Sequence, residues 1–336
     1  MRIFIAVLLL ASTMILYSCS DVNGISEPDQ ERTIDWVIKN KPEDLVAVTA
    51  IFLNEDESKP WKHSSAIVLL DFYDTRNYKI VTDSSMLAGR PRFSRDKRKL
   101  LYEDIYHGIY DMGDEFVVYD IKEDTIQHLS LWGELPVWDY DGTGFFYTKE
   151  PSFGFQNIRY YHIEDQSCVL ISGSNYPPET GYANVYAVDL KGQDTLIVFS
   201  NITEETGQPY GFYFMDFQGN YLARINNPYI GYRRQWNNDI GLFVFYENDT
   251  VNVGRKIGVT NLDGSYYHIY TSGNYFDDFP CWGPDGNYIL FNRADDIKGT
   301  GIFYKLMIID IRSGEVREFL KPGDIPGAIM YLYPDF

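Results

Sequence analysis

Apolar positions in this chain come in short runs, rich in β-branched and aromatic residues, that stop at turn residues before any helical face can repeat. Phe116-Val117-Val118-Tyr119 and Lys305-Leu306-Met307-Ile308-Ile309 are examples. The runs predict strands at about 45–53, 65–72 and 77–82, then 90–94, 99–103, 115–121 and 125–130, then 135–139, 144–149, 157–163 and 167–172. Asp263-Gly264 and Ser313-Gly314 later in the chain are dipeptides suited to tight hairpins. The expectation is an all-β protein of antiparallel hairpins.

The runs repeat. In Phe279–Arg293, with Pro280 as zero, aromatics stand at plus two (Trp282) and plus eleven (Phe291) and an acid at plus five (Asp285). Pro91 heads the same pattern with Phe93, Asp96 and Tyr102, and Pro136 with Trp138, Asp141 and Tyr147. Arg234 heads a copy without the proline, carrying Trp236, Asp239 and Phe245, and a degraded copy starts near Tyr186. A second marker, a polar residue followed by an apolar one before a turn, counts the units independently. Asp71-Phe72, Asp120-Ile121, His162-Ile163, Asp216-Phe217, Asn261-Leu262 and Asp310-Ile311 recur at intervals of 42 to 54 residues, giving six units.

Units of four antiparallel strands at this period are propeller blades, and exposed edges become harmless once the ring of them closes. Closure requires the two ends to meet. The unit over 45–82 shows only three clear strands, whereas Tyr333-Pro334-Asp335-Phe336 opens a repeat with no blade after it. Residues 330–336 are therefore expected to pair with 45–53 and complete the first blade. Ile34-Asp35-Trp36 is a second, lower-ranked copy of the opening.

The pattern around Trp282-Gly283-Pro284-Asp285-Gly286 resembles the TolB-like, WD40-like (PD40-type) repeat of six-bladed propellers, and the resemblance covers residues 45–336. It implies fold alone, because propellers with this motif occur both in binding proteins and in peptidases. Residues 1–19 read as a targeting segment: Arg2, an apolar run over 3–15 too short to span a bilayer, then Leu16-Tyr17-Ser18-Cys19. This resembles a bacterial lipoprotein lipobox, which implies lipidation at Cys19, and Ser20-Asp21 is similar to the start of Bacteroidetes surface-export signals. The expected organisation is a lipoprotein signal over 1–19, a tether and lead-in over 20–44 and a propeller over 45–336. The expected location is the bacterial outer membrane, lipid-anchored, on its periplasmic or its surface face.

Charge narrows the partners. A net charge of −19 with pI near 4.6 disfavours nucleic acid and anionic membrane surfaces. The membrane is touched through the lipid only, and a monomer is expected. Cys168 and Cys281 are expected to be two buried, unpaired thiols.

Candidate chemistry lies in the loops from second to third strand, at 54–64, 104–115, 150–157, 200–211, 247–255 and 292–303, which gather at one end of the channel. Their rings, carboxylates and amides suit a glycan or a protein, with rings stacking on sugar faces. The candidate ligand-binding residues are His63, Tyr106, His107, Tyr110, Asp111, Phe153, Phe155, Tyr210, Arg293, Asp295 and Asp296. His63 and His107, with Asp104 or Asp111, form the one candidate acid/base or metal group. His128, His162 and His268 are expected to be structural, because the five His show no metal-ligand spacing. The paired acids Asp277-Asp278 and Asp295-Asp296 are read as loop carboxylates. No catalytic set, metal or cofactor is expected. The leading reading is a non-catalytic binding or scaffold module; the alternative is a glycan-active lyase or hydrolase using acids and His at the channel mouth.

Overall fold

The computed structural model describes residues 32–53, 63–83, 87–104, 114–149, 157–171, 183–187, 197–201, 211–218, 220–227, 232–237, 239–249, 254–294 and 304–336. Residues from Thr33 to Phe336 form one compact unit. It begins with helix α1 (Ile34–Asn40), where Thr33 Oγ1 accepts the Trp36 N–H and Val37 is buried beside Leu45, Ala47 and Leu69. The Ile34-Asp35-Trp36 copy of the opening is thus helical. Among the described residues no helix is long and apolar enough to cross a membrane.

Among the described residues, all remaining regular elements apart from two short 3-10 turns are strands. In chain order they are β1 (Leu45–Leu53), β2 (His63–Asp71), β3 (Tyr78–Ile80), β4 (Ala88–Phe93), β5 (Lys99–Asp104), β6 (Asp114–Asp120), β7 (Thr125–Trp138), β8 (Gly144–Lys149), β9 (Asn157–His162), β10 (Cys168–Leu170), β11 (Ala183–Ala187) and β12 (Ile197–Asn201). There follow β13 (Gly211–Met215), β14 (Tyr221–Asn226), β15 (Tyr232–Asn237), β16 (Leu242–Asp249), β17 (Gly254–Thr260), β18 (Tyr267–Ile269), β19 (Phe276–Trp282), β20 (Tyr288–Ala294), β21 (Tyr304–Asp310), β22 (Glu315–Leu320) and β23 (Ala328–Asp335). The sheet orders are β23-β1-β2-β3, then β4 through β10 in sequence, then β11 through β14, then β15-β16-β17-β19-β20-β21-β22 with β18 on β17.

The last strand does pair with the first: β23 runs antiparallel to β1, with Ala47 opposite Asp335 and Ile51 opposite Met330. The long strand β7 differs from the two expected segments. Its early part pairs with β6 and its late part with β8, so one strand serves two neighbouring sets. The strands β17 and β19 meet at a single parallel bridge, Arg255 opposite Phe276.

Burial grades across each set. β1, β2, β5, β6 and β8 are buried on most residues, because further layers pack on both faces, whereas β3 is half-buried and β10 and the early part of β7 are largely exposed. The plus-eleven aromatics Tyr102, Tyr147, Phe245 and Phe291 all lie in second strands and are fully buried. The polar-apolar marker also acquires a physical role. Asp71, Asp120, Asp216 and Asp310 each accept, on Oδ1, the N–H two residues ahead, which closes the turn after the third strand. The following N–H of Phe72, Ile121, Ile163 or Ile311 donates to the carbonyl of Asp44, Arg98, Thr143 or Asn287, tying that turn to the start of the second strand.

Candidate functional site

Proline cannot donate to a ladder, so a strand that keeps one must bulge around it. The first strands do this at the repeat origin. Register shifts lie between Gly89 and Arg92 in β4, Glu134 and Val137 in β7, and Asp278 and Cys281 in β19, and in β23 the pairing with β1 slips between Leu332 and Asp335. β15, with Arg234 at the origin, bulges at the same place, between Tyr232 and Gln235. Each residue before a proline is left-handed: Arg90 (φ 52), Leu135 (φ 53), Phe279 (φ 50) and Tyr333 (φ 48). For non-glycine residues this costs of order 1–3 kcal/mol each and concentrates where a site needs it.

These four residues line one cavity of about 610 Å³. Its wall is formed by β4, the late part of β7, β15, β19 and β23, and it runs on to the turns that join first to second strands. Those turns need a left-handed residue, supplied by Gly142 (φ +68) and Gly286 (φ +64), and in the Ser94-Arg95-Asp96-Lys97 copy by Lys97 (φ 58).

Neighbouring first strands are joined by a repeated hydrogen-bond rule. The Trp138 indole N–H donates to the Arg92 carbonyl at 2.8 Å, and the Trp282 indole N–H to the Gln235 carbonyl at 3.2 Å. The Trp282 backbone N–H donates to Gln235 Oε1 at 2.6 Å, and the Phe93 N–H to Asp335 Oδ2 at 2.7 Å. Asp335 therefore stands to β4 as Gln235 stands to β19. Its other oxygen accepts Gln235 Nε2 at 3.0 Å, and Arg92 lies 3.6 Å away.

Burial dominates the electrostatics of this cavity. It raises the Asp335 carboxyl above its usual range against the pull of Arg92, the Phe93 N–H and Lys97. It lowers the Lys97 ammonium to about 7, with Asp335 and Cys281 opposing, and pushes the Cys281 thiol well up. Lys97 Nζ donates to the Leu45 carbonyl at 3.0 Å and lies 4.1 and 3.6 Å from the Phe93 and Phe336 ring centres. Deeper along the wall, Arg90 meets the buried Glu103 at 2.7 Å and faces the Tyr333 ring, which packs edge-on against Phe279 at 4.3 Å. Near the turns, Arg95 stacks over Tyr140 at 3.7 Å and lies 3.7 Å from Asp239. Charges inside the cavity are largely compensated, and the remaining surface is aromatic and amide.

Of the residues singled out from sequence, His63 opens β2, exposed, rather than lying in a loop. Arg293 lies in β20, where it grips Asp277 through two 2.7 Å hydrogen bonds and stacks on Tyr275. Neither lines the cavity. Tyr106, His107, Tyr110, Asp111, Phe153, Phe155, Tyr210, Asp295 and Asp296 lie outside the described residues, as does Cys19. The pair Asp277-Asp278 is not a loop pair: both acids are buried in β19, Asp277 on Arg293 and Asp278 on Arg255, because the bulge turns them inward. Cys281 is buried as expected, but Cys168 is exposed, its Sγ 3.1 Å from the Tyr147 hydroxyl. The cavity reaches the turns that join first to second strands. The signal that would have found it was present: the residue before each repeat proline.

No protein-family model matches the chain, and no curated protein matches it by sequence. Its fold is similar to solved propeller structures. TolB from Acinetobacter baumannii superposes with a TM-score of 0.63 at 14% identity, over 87% of this chain and 66% of that one, so this chain spans just under two thirds of it. A putative TolB from Agrobacterium tumefaciens gives 0.56 at 16% identity over 82% and 89%. The β-propeller domain of the Trilobed protease from Pyrococcus furiosus, described as having an open velcro topology, gives 0.51 at 12% identity over 83% and 95%. The chain is thus all-β with a TolB-like propeller fold.

Proposed function

We propose that the chain is a six-bladed propeller of four-stranded blades that acts as a binding or scaffold module for an envelope protein or glycan, without transforming it. The blade reading assigns β23-β1-β2-β3, β4 to early β7, late β7 to β10, β11–β14, β15–β18 and β19–β22. It is supported by the shared bulge and by the matching roles of Asp335 and Gln235. It places the molecule on a lipid at Cys19, on the outer membrane of a Bacteroidetes-like envelope, periplasmic or surface-exposed.

The observation that carries the binding reading is the cavity itself, where aromatic rings converge beside acids already engaged by structural partners. Asp335 is held by Phe93 and Gln235, and Asp139 accepts from Thr143 and the Tyr160 hydroxyl. Such acids hold a wall in shape rather than exchange protons with a substrate. Rings such as Trp236 and Tyr140 offer stacking faces for sugar or aromatic side chains.

A glycan array paired with a reducing-end assay tests it. Binding without release of reducing ends, weakened about tenfold by Trp236→Ala, is expected; steady release of reducing ends overturns the non-catalytic reading. For the anchor, Cys19→Ser should shift the protein from the membrane to the soluble fraction. Retention in the membrane fraction refutes lipidation at that residue.

A further inference from the structure

We propose that Asp104, Glu115 and His128 form a binding site for one first-row divalent cation of the Zn²⁺ class, separate from the cavity. One ligand atom from each lies within 4.8 Å of the others, a spacing that a small contraction brings around a single ion. One imidazole and two carboxylates form a mixed nitrogen and oxygen set that suits Zn²⁺ or its first-row neighbours over Ca²⁺ or Mg²⁺.

The strands build the site from residues far apart in sequence. Asp104 on β5 stands directly opposite Glu115 on β6, and both are buried. Like charges placed opposite each other in a sheet repel, and a cation held between them relieves that repulsion. His128 arrives from β7 through a second irregularity, a register shift between Glu115 and Val117. Ser130 (φ 50) sits in this bulge and donates its N–H to Glu115 Oε1 at 3.1 Å. One carboxylate oxygen is thereby fixed and the other, Oε2, is left 3.5 Å from His128 Nδ1, the kind of outer support that orients metal ligands.

An independent observation points to a ligand. Tyr102, two residues before Asp104 on the same face of β5, is wholly buried, and its hydroxyl has no hydrogen-bond partner among the described residues, although it lies in the field of both carboxylates. A buried hydroxyl left unpaired costs about 1–3 kcal/mol. Water carried by a bound cation would give it a partner. The half-exposed His128 side chain leaves the ion a route from solvent and room for such a water.

Titration calorimetry of the chelator-treated full chain with ZnCl₂ tests the site. One equivalent should bind and raise the melting temperature; His128→Ala should weaken binding at least about tenfold, and His268→Ala, on an exposed position of β18, should leave it unchanged. Because His128 is exposed, its variant should keep the metal-free melting curve, and Glu115→Gln, which keeps an oxygen for Ser130, supplies a second loss of binding. Absence of one-to-one Zn²⁺ binding, or binding undiminished in folded His128→Ala and Glu115→Gln proteins, overturns the proposal.

Discussion

First strands and second strands of this protein are built on opposite terms. The second strands β5, β8, β16 and β20 keep unbroken register with their third-strand partners and bury Tyr102, Tyr147, Phe245 and Phe291 completely. The first strands β4, β19 and β23, and the late part of β7, are each interrupted at a proline and hold one left-handed non-glycine residue, and β4 and β23 turn Arg90, Arg92 and Asp335 toward a cavity that Gln235 of β15 also lines. Burial of apolar area holds the second strands; hydrogen bonds between neighbours, from Trp138, Trp282 and Phe93, hold the first. The difference teaches where the fold stores stability and where it tolerates strain.

Removing residues 329–336 would break the comparison most severely, because β23 is a first strand that also covers the open edge of β1 and buries Tyr331. A fall in melting temperature of about 10 °C or more, with aggregation, is expected by calorimetry. An unchanged melting curve would show that closure does not depend on the chain end. Next in size, Phe291→Ala in a second strand should cost about 3–5 kcal/mol in denaturant unfolding.

Lys97 offers a smaller effect with a sign that can be checked. The unfolded chain keeps the lysine proton up to its ordinary range near 10.5, whereas the folded chain sheds it near 7. From pH 7 upward the unfolded state binds more protons, so stability should rise with pH. The window closes at about pH 8.5, where the raised Cys281 thiol begins to act the other way, as the raised Asp335 carboxyl does from the acid side. The gain should be roughly 1 kcal/mol, discounted because the side chain is only half-buried, and Lys97→Met should flatten the slope. Least of all, Leu135→Gly should change stability by less than about 1 kcal/mol, since relief of the left-handed strain offsets the lost side chain. A loss as large as that of Phe291→Ala would erase the distinction between the two strand classes.

Local chemistry explains how much was legible beforehand. β1, β5 and β8 fall within a residue of the expected bounds, and Gly264 and Gly314 take positive φ in their turns (φ 73 and 72), because alternation and turn preference act over a few neighbours. Candidate loop residues fared differently: His63 and Arg293, the two among the described residues, lie away from the cavity. Their types suggested chemistry, but position relative to the first strands decides what faces it.

The sequence by itself determined the all-β architecture, the repeat, the order of strands within each unit and the need for Tyr333-Pro334-Asp335-Phe336 to return to Leu45–Leu53, since each is encoded by spacing, burial pattern and turn residues. Only the tertiary structure decided that β7 serves two sets, that Asp277 and Asp278 turn inward onto arginines, that Asp335 reaches Phe93 and Gln235, and that Asp104, Glu115 and His128 meet. Those contacts join residues brought together by strand pairing and by bulges, and a bulge of one residue changes which side chain faces which without altering the local preferences a sequence displays.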